Sequence, residues 1–174
     1  MAGIIKVNQY QDFNGNTILT SDGSGNLTTQ QILYPAFEAH SNTAQSLSDN
    51  TYAKVDLQIE ILDTNNNFNS SRFTPTVPGQ YYFEGQTFNM GSNNTSVRNI
   101  YVSIYKNGSQ YKESRINFHG SEITFGTIQV SAILNMNGSS DYVELYAATD
   151  VTSGSASLRE GTKANYFLGY RIGS

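Results

Sequence analysis

Few residues in this chain stand in spacings that do chemistry. The two histidines, His40 and His119, fall in no ligand motif such as His-Glu-x-x-His, so a metal centre or a Ser-His-Asp arrangement would need a chance meeting in space. With no cysteine there is no thiolate nucleophile or sulfur ligand. Gly-x-Ser-x-Gly and the phosphate-binding P-loop are both missing, and Gly23-Ser24-Gly25 lacks the lysine and the following helix that phosphate binding requires. Asp22-Gly23-Ser24-Gly25-Asn26 copies the first half of a calcium loop, with oxygen-bearing side chains at alternate positions. The glutamate that should close such a loop is replaced by Leu33. Asp49, Asp56, Asp63 and Asp141 are isolated carboxylates, and no spacing pairs two of them across a groove as sugar cleavage needs. The expectation is a protein with no catalytic residues and no resident cofactor, calcium being the one ion with any sequence signal.

Composition sets what must hold such a chain together. Its 174 residues suffice for one core. Hydrophobic residues make up 37% and charged residues only 14%, so its polarity comes from Asn, Ser, Thr and Gly, the residues of turns. Twelve Tyr and nine Phe against no Trp give large rings, many with a hydroxyl to satisfy, and such surfaces pack into cores or interfaces. The net charge of −4 and the scatter of ten basic residues argue against a phosphate backbone as partner. No apolar run approaches the ~18 residues of a membrane-spanning helix, and the start has no secretory pattern, so neither membrane insertion nor export is expected.

The apolar periodicity is that of strands. Val55, Leu57, Ile59 and Ile61 alternate with Asp56, Gln58 and Glu60, which predicts one half-buried strand over Val55 to Leu62. Ile100, Val102 and Ile104 alternate with Tyr101, Ser103 and Tyr105, and Asn107-Gly108 then supplies the pair that a type I′ hairpin turn needs. Between Ile123 and Leu134 the apolar phase slips, predicting a bulge or break near Gly126. Val143 to Ala147 and Ala164 to Ile172 complete the strand pattern, and exposed loops are expected over Asn89 to Ser96 and Ser153 to Gly161. Residues 1–34 differ. Turn residues bracket every apolar patch there, so the segment reads as an extended arm whose Ile4, Ile5, Val7, Tyr10, Phe13, Ile18 and Leu19 would anchor it on another surface. Residues 35–174 read as the head domain.

The order of the head's motifs adds a resemblance. Phe37, the Val55 strand, Phe73-Thr74-Pro75, Gly79-Gln80-Tyr81-Tyr82-Phe83, Asn107-Gly108 and the ending Phe167-Leu168-Gly169-Tyr170 together resemble the globular C1q domain, a relative of the tumour necrosis factor fold. The resemblance implies an all-β, ten-stranded jelly-roll sandwich that forms a homotrimer. It places Tyr81 to Gln86, Ile128 to Met136 and Tyr166 to Ile172 in the sheet nearest the three-fold axis, with Tyr81, Phe83, Tyr166, Leu168 and Tyr170 as candidates for the trimer interface. The chain departs from the family's pattern at Gly138-Ser139-Ser140-Asp141, a stretched form of its usual Gly-Asp, and in having a short arm where a collagen stalk often stands. The head and arm together look like a bacteriophage virion structural protein, assembled in the host cytoplasm and displayed on the virion surface. The expected role is a capsid decoration protein whose arm docks on the major capsid protein or another virion protein. The alternatives are a tail-fibre tip or other receptor-binding protein that meets a host-surface glycan or protein, and a secreted binding module.

Overall fold

The computed structural model describes residues 7–29, 34–161 and 163–173. These form sixteen β-strands and no helix, and the chain divides into two compact units, Met1–Leu33 and Tyr34–Ser174.

In the first unit β1 (Gln9–Gln11), β2 (Thr17–Ser21) and β3 (Leu27–Thr29) form an antiparallel meander. Both of its turns use one device. The Oδ1 of Asp12 accepts the backbone N–H of Asn14 and Asn16, and Asp22 Oδ1 accepts those of Ser24 and Asn26. The second carboxylate oxygen in each case takes the side-chain amide of Asn16 or Asn26, at 2.8 and 2.6 Å. Asp-x-x-Gly-Asn turns close this way because the short carboxylate reaches its own downstream backbone. The loop that imitates a calcium site therefore folds its acid back onto itself. Ile4 and Ile5 lie outside the described residues.

The second unit is a sandwich. Its strands are β4 (Ala36–His40), β5 (Gln45–Leu47), β6 (Ala53–Lys54), β7 (Ile59–Asp63), β8 (Phe68–Asn69), β9 (Arg72–Phe73), β10 (Gly79–Gly91), β11 (Val97–Lys106), β12 (Ser109–Asn117), β13 (Phe125–Met136), β14 (Val143–Val151), β15 (Ala156–Leu158) and β16 (Tyr166–Gly173). β10 is the spine of the first sheet. β13 pairs with one of its edges along the whole strand, while β16 and β15 share the other edge. From there β16 leads to β4 and β7, and β15 to β5. The second sheet runs β12-β11-β14-β9-β8, with β6 also beside β14.

Alternation along β10 builds the core. Tyr81 and Phe83 point between the sheets and are fully buried, where they meet Phe37, Phe73 and Phe167. Phe37 stacks 4.4 Å from Phe73 and meets Phe167 edge-on at 5.1 Å. Ile100, Val102, Ile104 and Leu145 close the layer from the second sheet. Each such side chain contributes roughly 1.5–3 kcal/mol through burial.

Some expected details change. Val55 to Leu62 is not one strand, because the chain crosses between sheets there: β6 belongs to the second sheet and β7 to the first. Its backbone donors bond outside any ladder, Val55 to the Leu145 carbonyl, Asp56 to Gln45 Oε1 and Leu57 to Ser71 Oγ. Val55 and Leu57 are buried, whereas Ile61 and Leu62 are exposed. The expected phase slip is a break just before β13, where Ile123 bridges Val97. Gly126 stays in register, facing inward where a Cβ would sit 3.1 Å from both Ile100 and Ile123. Asn89 is core rather than loop, and Ala156–Leu158 is a strand. The Asn107-Gly108 turn has φ of 52° and 77°, as type I′ requires.

Candidate interaction face

The residues of β10 that do not enter the core define the site. Tyr82, Glu84, Gln86, Phe88 and Met90 point away from the sandwich. They are joined by Phe125, Gln129, Ser131 and Ile133 from β13, and by Tyr166, Leu168, Tyr170 and Ile172 from β16. Register lines these up in rows. Tyr82 lies between Ile133 and Tyr170, and Glu84 between Ser131 and Leu168. Such directly opposed pairs are within side-chain reach across a sheet. The rings of Tyr82 and Tyr170 are 5.4 Å apart, and Phe88 stacks on Phe125 at the same distance.

Much of this face is apolar yet open. Ile133 is 56% exposed, Phe125 55%, Tyr170 46% and Ile172 44%. At its centre stands one carboxylate. Glu84 accepts the hydroxyls of Tyr82 and Tyr166, both at 2.7 Å, one on each oxygen. Gln129 donates to Gln86 and to the Tyr166 oxygen, which locks the row across three strands. Burial, followed by the hydrogen bond to Glu84, pushes the Tyr166 phenol up to about 12, and the bond to Glu84 raises that of Tyr82. Both phenols are therefore neutral donors at ordinary pH.

The sequence-derived candidates divide on this geometry. Tyr166, Leu168 and Tyr170 lie on the outward face. Tyr81 and Phe83 do not: both are fully buried inside the sandwich, so their side chains serve the core and cannot touch a partner. Strand parity is the cause, since an aromatic run of Tyr-Tyr-Phe must send alternate rings to opposite faces. The same parity points to Tyr82 and Glu84 as the outward residues, a signal the sequence held. Gln129, Ile133 and Phe125 follow from the pairing of β10 with β13, which the sequence does not show. In the first unit Val7, Tyr10, Phe13 and Ile18 are all exposed, with Leu19 half-buried.

The second sheet has its own outward aromatic group. Tyr105 stacks on Tyr146 at 4.0 Å, Tyr52 meets Tyr101 at 5.8 Å, and the Tyr52 hydroxyl donates to Glu113. Among the described residues no three His, Asp or Glu side chains converge as a metal site.

No protein-family profile and no curated protein matches the chain. Solved structures do. The globular domain of zebrafish complement 1qA superposes with a TM-score of 0.57 at 17% identity, over 79% of this chain and 97% of that one. The Eiger tumour necrosis factor of S. frugiperda gives 0.58 at 11% identity, over 81% and 94%. Murine APRIL gives 0.54 at 10% identity, over 80% and 99%. Two packed antiparallel sheets, a Phe-lined core and these superpositions make the chain a jelly roll of the C1q and tumour necrosis factor type.

Proposed function

We propose that the protein is a non-enzymatic, homotrimeric structural protein of a bacteriophage virion, a capsid decoration protein that docks through its N-terminal unit. The observation that carries the assembly is the outward face of β10, β13 and β16. It exposes Ile133, Tyr170 and Ile172 around a single carboxylate that accepts a hydroxyl on each oxygen. A face of that kind is stabilised by covering it, and a three-fold contact on the β10 sheet would do so. The docking role rests on the N-terminal unit, whose Tyr10 and Phe13 are 52% and 105% exposed on a three-stranded sheet with little to bury between strands.

Two other readings share the head. A tail-fibre tip would use the same trimer with its loops on a host receptor, and a secreted binding module of this fold fits the structural neighbours equally well. Attachment separates them. Sedimentation of the full chain should give a trimer, and deletion of residues 1–33 should leave that trimer intact while abolishing binding to particles that lack the protein. A monomer at micromolar concentration overturns the assembly, and attachment without the N-terminal unit overturns the docking role.

A further inference from the structure

Away from the aromatic face, a cleft of about 560 Å3 opens on the second sheet beside Lys54 of β6 and Arg72 of β9. Asn66, Asn67, Asn69 and Thr76 line it as well, so its walls are amides, hydroxyls and two cations with no carboxylate among them. The acid that holds the cations lies underneath. Glu144 Oε1 accepts from Arg72 Nε at 2.9 Å and from Lys54 Nζ at 3.4 Å, its side chain 3% exposed against 44% and 33% for theirs. One carboxylate against two cations leaves a local excess of one positive charge, in a chain whose net charge is −4.

The donors are held in place. The Arg72 guanidinium stacks 3.8 Å from the centre of the Tyr142 ring, and among the described residues it bonds only Glu144, through Nε. Its two terminal nitrogens form the planar fork that suits a carboxylate. Lys54 Nζ is steadied by the Ser70 carbonyl at 2.9 Å. Asn67 is 7% exposed, and its Nδ2 has no acceptor among the described residues. A buried amide left without a partner in the protein is a group that a ligand oxygen would satisfy. The hairpin forming one wall turns on Ser70-Ser71, with φ of 51° and 58° where Asn-Gly would sit with less strain.

We propose that this cleft binds an acidic saccharide. Arg72 and Lys54 take its carboxylate, and the asparagine amides take its hydroxyls. A bare anion would use the cations but leave most of the amide wall unpaired, and a neutral sugar would leave the charge excess uncompensated. The site lies outside the sheet assigned to assembly, so either proposal can fail without the other.

The test is a panel of oligosaccharides containing uronic or sialic acid, each paired with its neutral counterpart, and inorganic phosphate as a bare anion, measured by saturation-transfer NMR on the full chain. At least one acidic member should bind about tenfold or more tighter than its neutral partner and than phosphate. Arg72→Gln and Asn69→Ala should each weaken it about tenfold. Arg72→Gln leaves the buried Glu144 with Lys54 as its only cation, whereas Asn69 is exposed, so Asn69→Ala tests the wall without risk to the fold. Failure of every acidic member to bind overturns the proposal. So does equal binding of the neutral partners or of phosphate, or affinity unchanged in folded Asn69→Ala protein.

Discussion

Gly169 lies directly across from Phe83 in the first sheet, so close that a Cβ on it would stand 2.5 Å from Phe83 Cδ1. On its other side Gly169 pairs with Phe37, whose Cε1 would be 2.8 Å from the same atom. Two rings thus close over one missing side chain, which gives the Phe-Leu-Gly-Tyr ending its glycine. Gly169→Ala should cost roughly 1–3 kcal/mol by overpacking the core. The double variant with Phe83→Leu should recover part of that, because the smaller side chain makes room. Urea unfolding of the four members of this cycle measures the coupling, and a neutral Gly169→Ala would refute the packing.

Ile133 tests the proposed assembly with little risk to the fold. It is 56% exposed in the protomer, opposite Tyr82 on the outward face. Ile133→Arg should therefore leave the protomer folded, its stability changed by no more than about 0.5 kcal/mol, while placing a charge among the apolar side chains of each proposed contact. Sedimentation velocity should show protomers for the variant and the proposed trimer for the unaltered chain. A variant that keeps the trimer mass would place the interface elsewhere.

The sequence revealed the sandwich better than its surfaces. Alternation over Ile100–Tyr105 and the Asn107-Gly108 turn carry their own structure, because hairpin chemistry is local. Val55–Leu62 misleads for a physical reason. Its buried Val55 and Leu57 fit alternation, but their N–H groups bond to Leu145 and Ser71, distant partners that no local pattern records. The inward set of β10 follows from parity alone, but the outward face also depends on β13 and β16 as neighbours, pairings between residues far apart in the chain such as Tyr82 with Ile133. Glu144 is the extreme case. It sits in an alternating strand like any solvent-facing acid, and only the fold brings Lys54 and Arg72 to it.

Alkaline pH should unfold the protein through its buried phenols. Tyr81 donates to the Val77 carbonyl at 2.7 Å, and burial pushes its phenol up to about 12 from the usual 10.0. Tyr166 shifts to a similar value. A group whose folded value is raised stabilises the fold fully below its unfolded value, and that contribution is lost as pH rises through the folded one. The melting temperature should therefore fall between about pH 10 and pH 12, and Tyr166→Phe should flatten part of that fall. Phenolate absorbance should show both groups silent near pH 10 until the fold is lost. All twelve tyrosines titrating near pH 10 in folded protein would contradict this.

At acid pH the corresponding group is Asp150, buried on β14. A register shift in β11 between Val97 and Asn99 leaves Arg98 at a bulge, which turns it and Asn99 onto the same carboxylate. Arg98 binds in a fork, Nε at 2.9 Å and a terminal nitrogen at 2.7 Å, and Asn99 adds a third bond. The Arg98 bond, as the largest cause, holds Asp150 below the usual 3.8. A depressed folded value means stability present above the unfolded value and lost as pH falls through the folded one, so this contribution should fade below about pH 4. Arg98 is itself partly exposed, which screens the pair, so Arg98→Gln should lower the urea midpoint only modestly at neutral pH. Its cost should shrink toward zero as Asp150 protonates, which urea midpoints at neutral and acid pH would measure. A penalty of equal size at both would mean that Arg98 acts by packing its stem across the bulge, with the charge of Asp150 incidental.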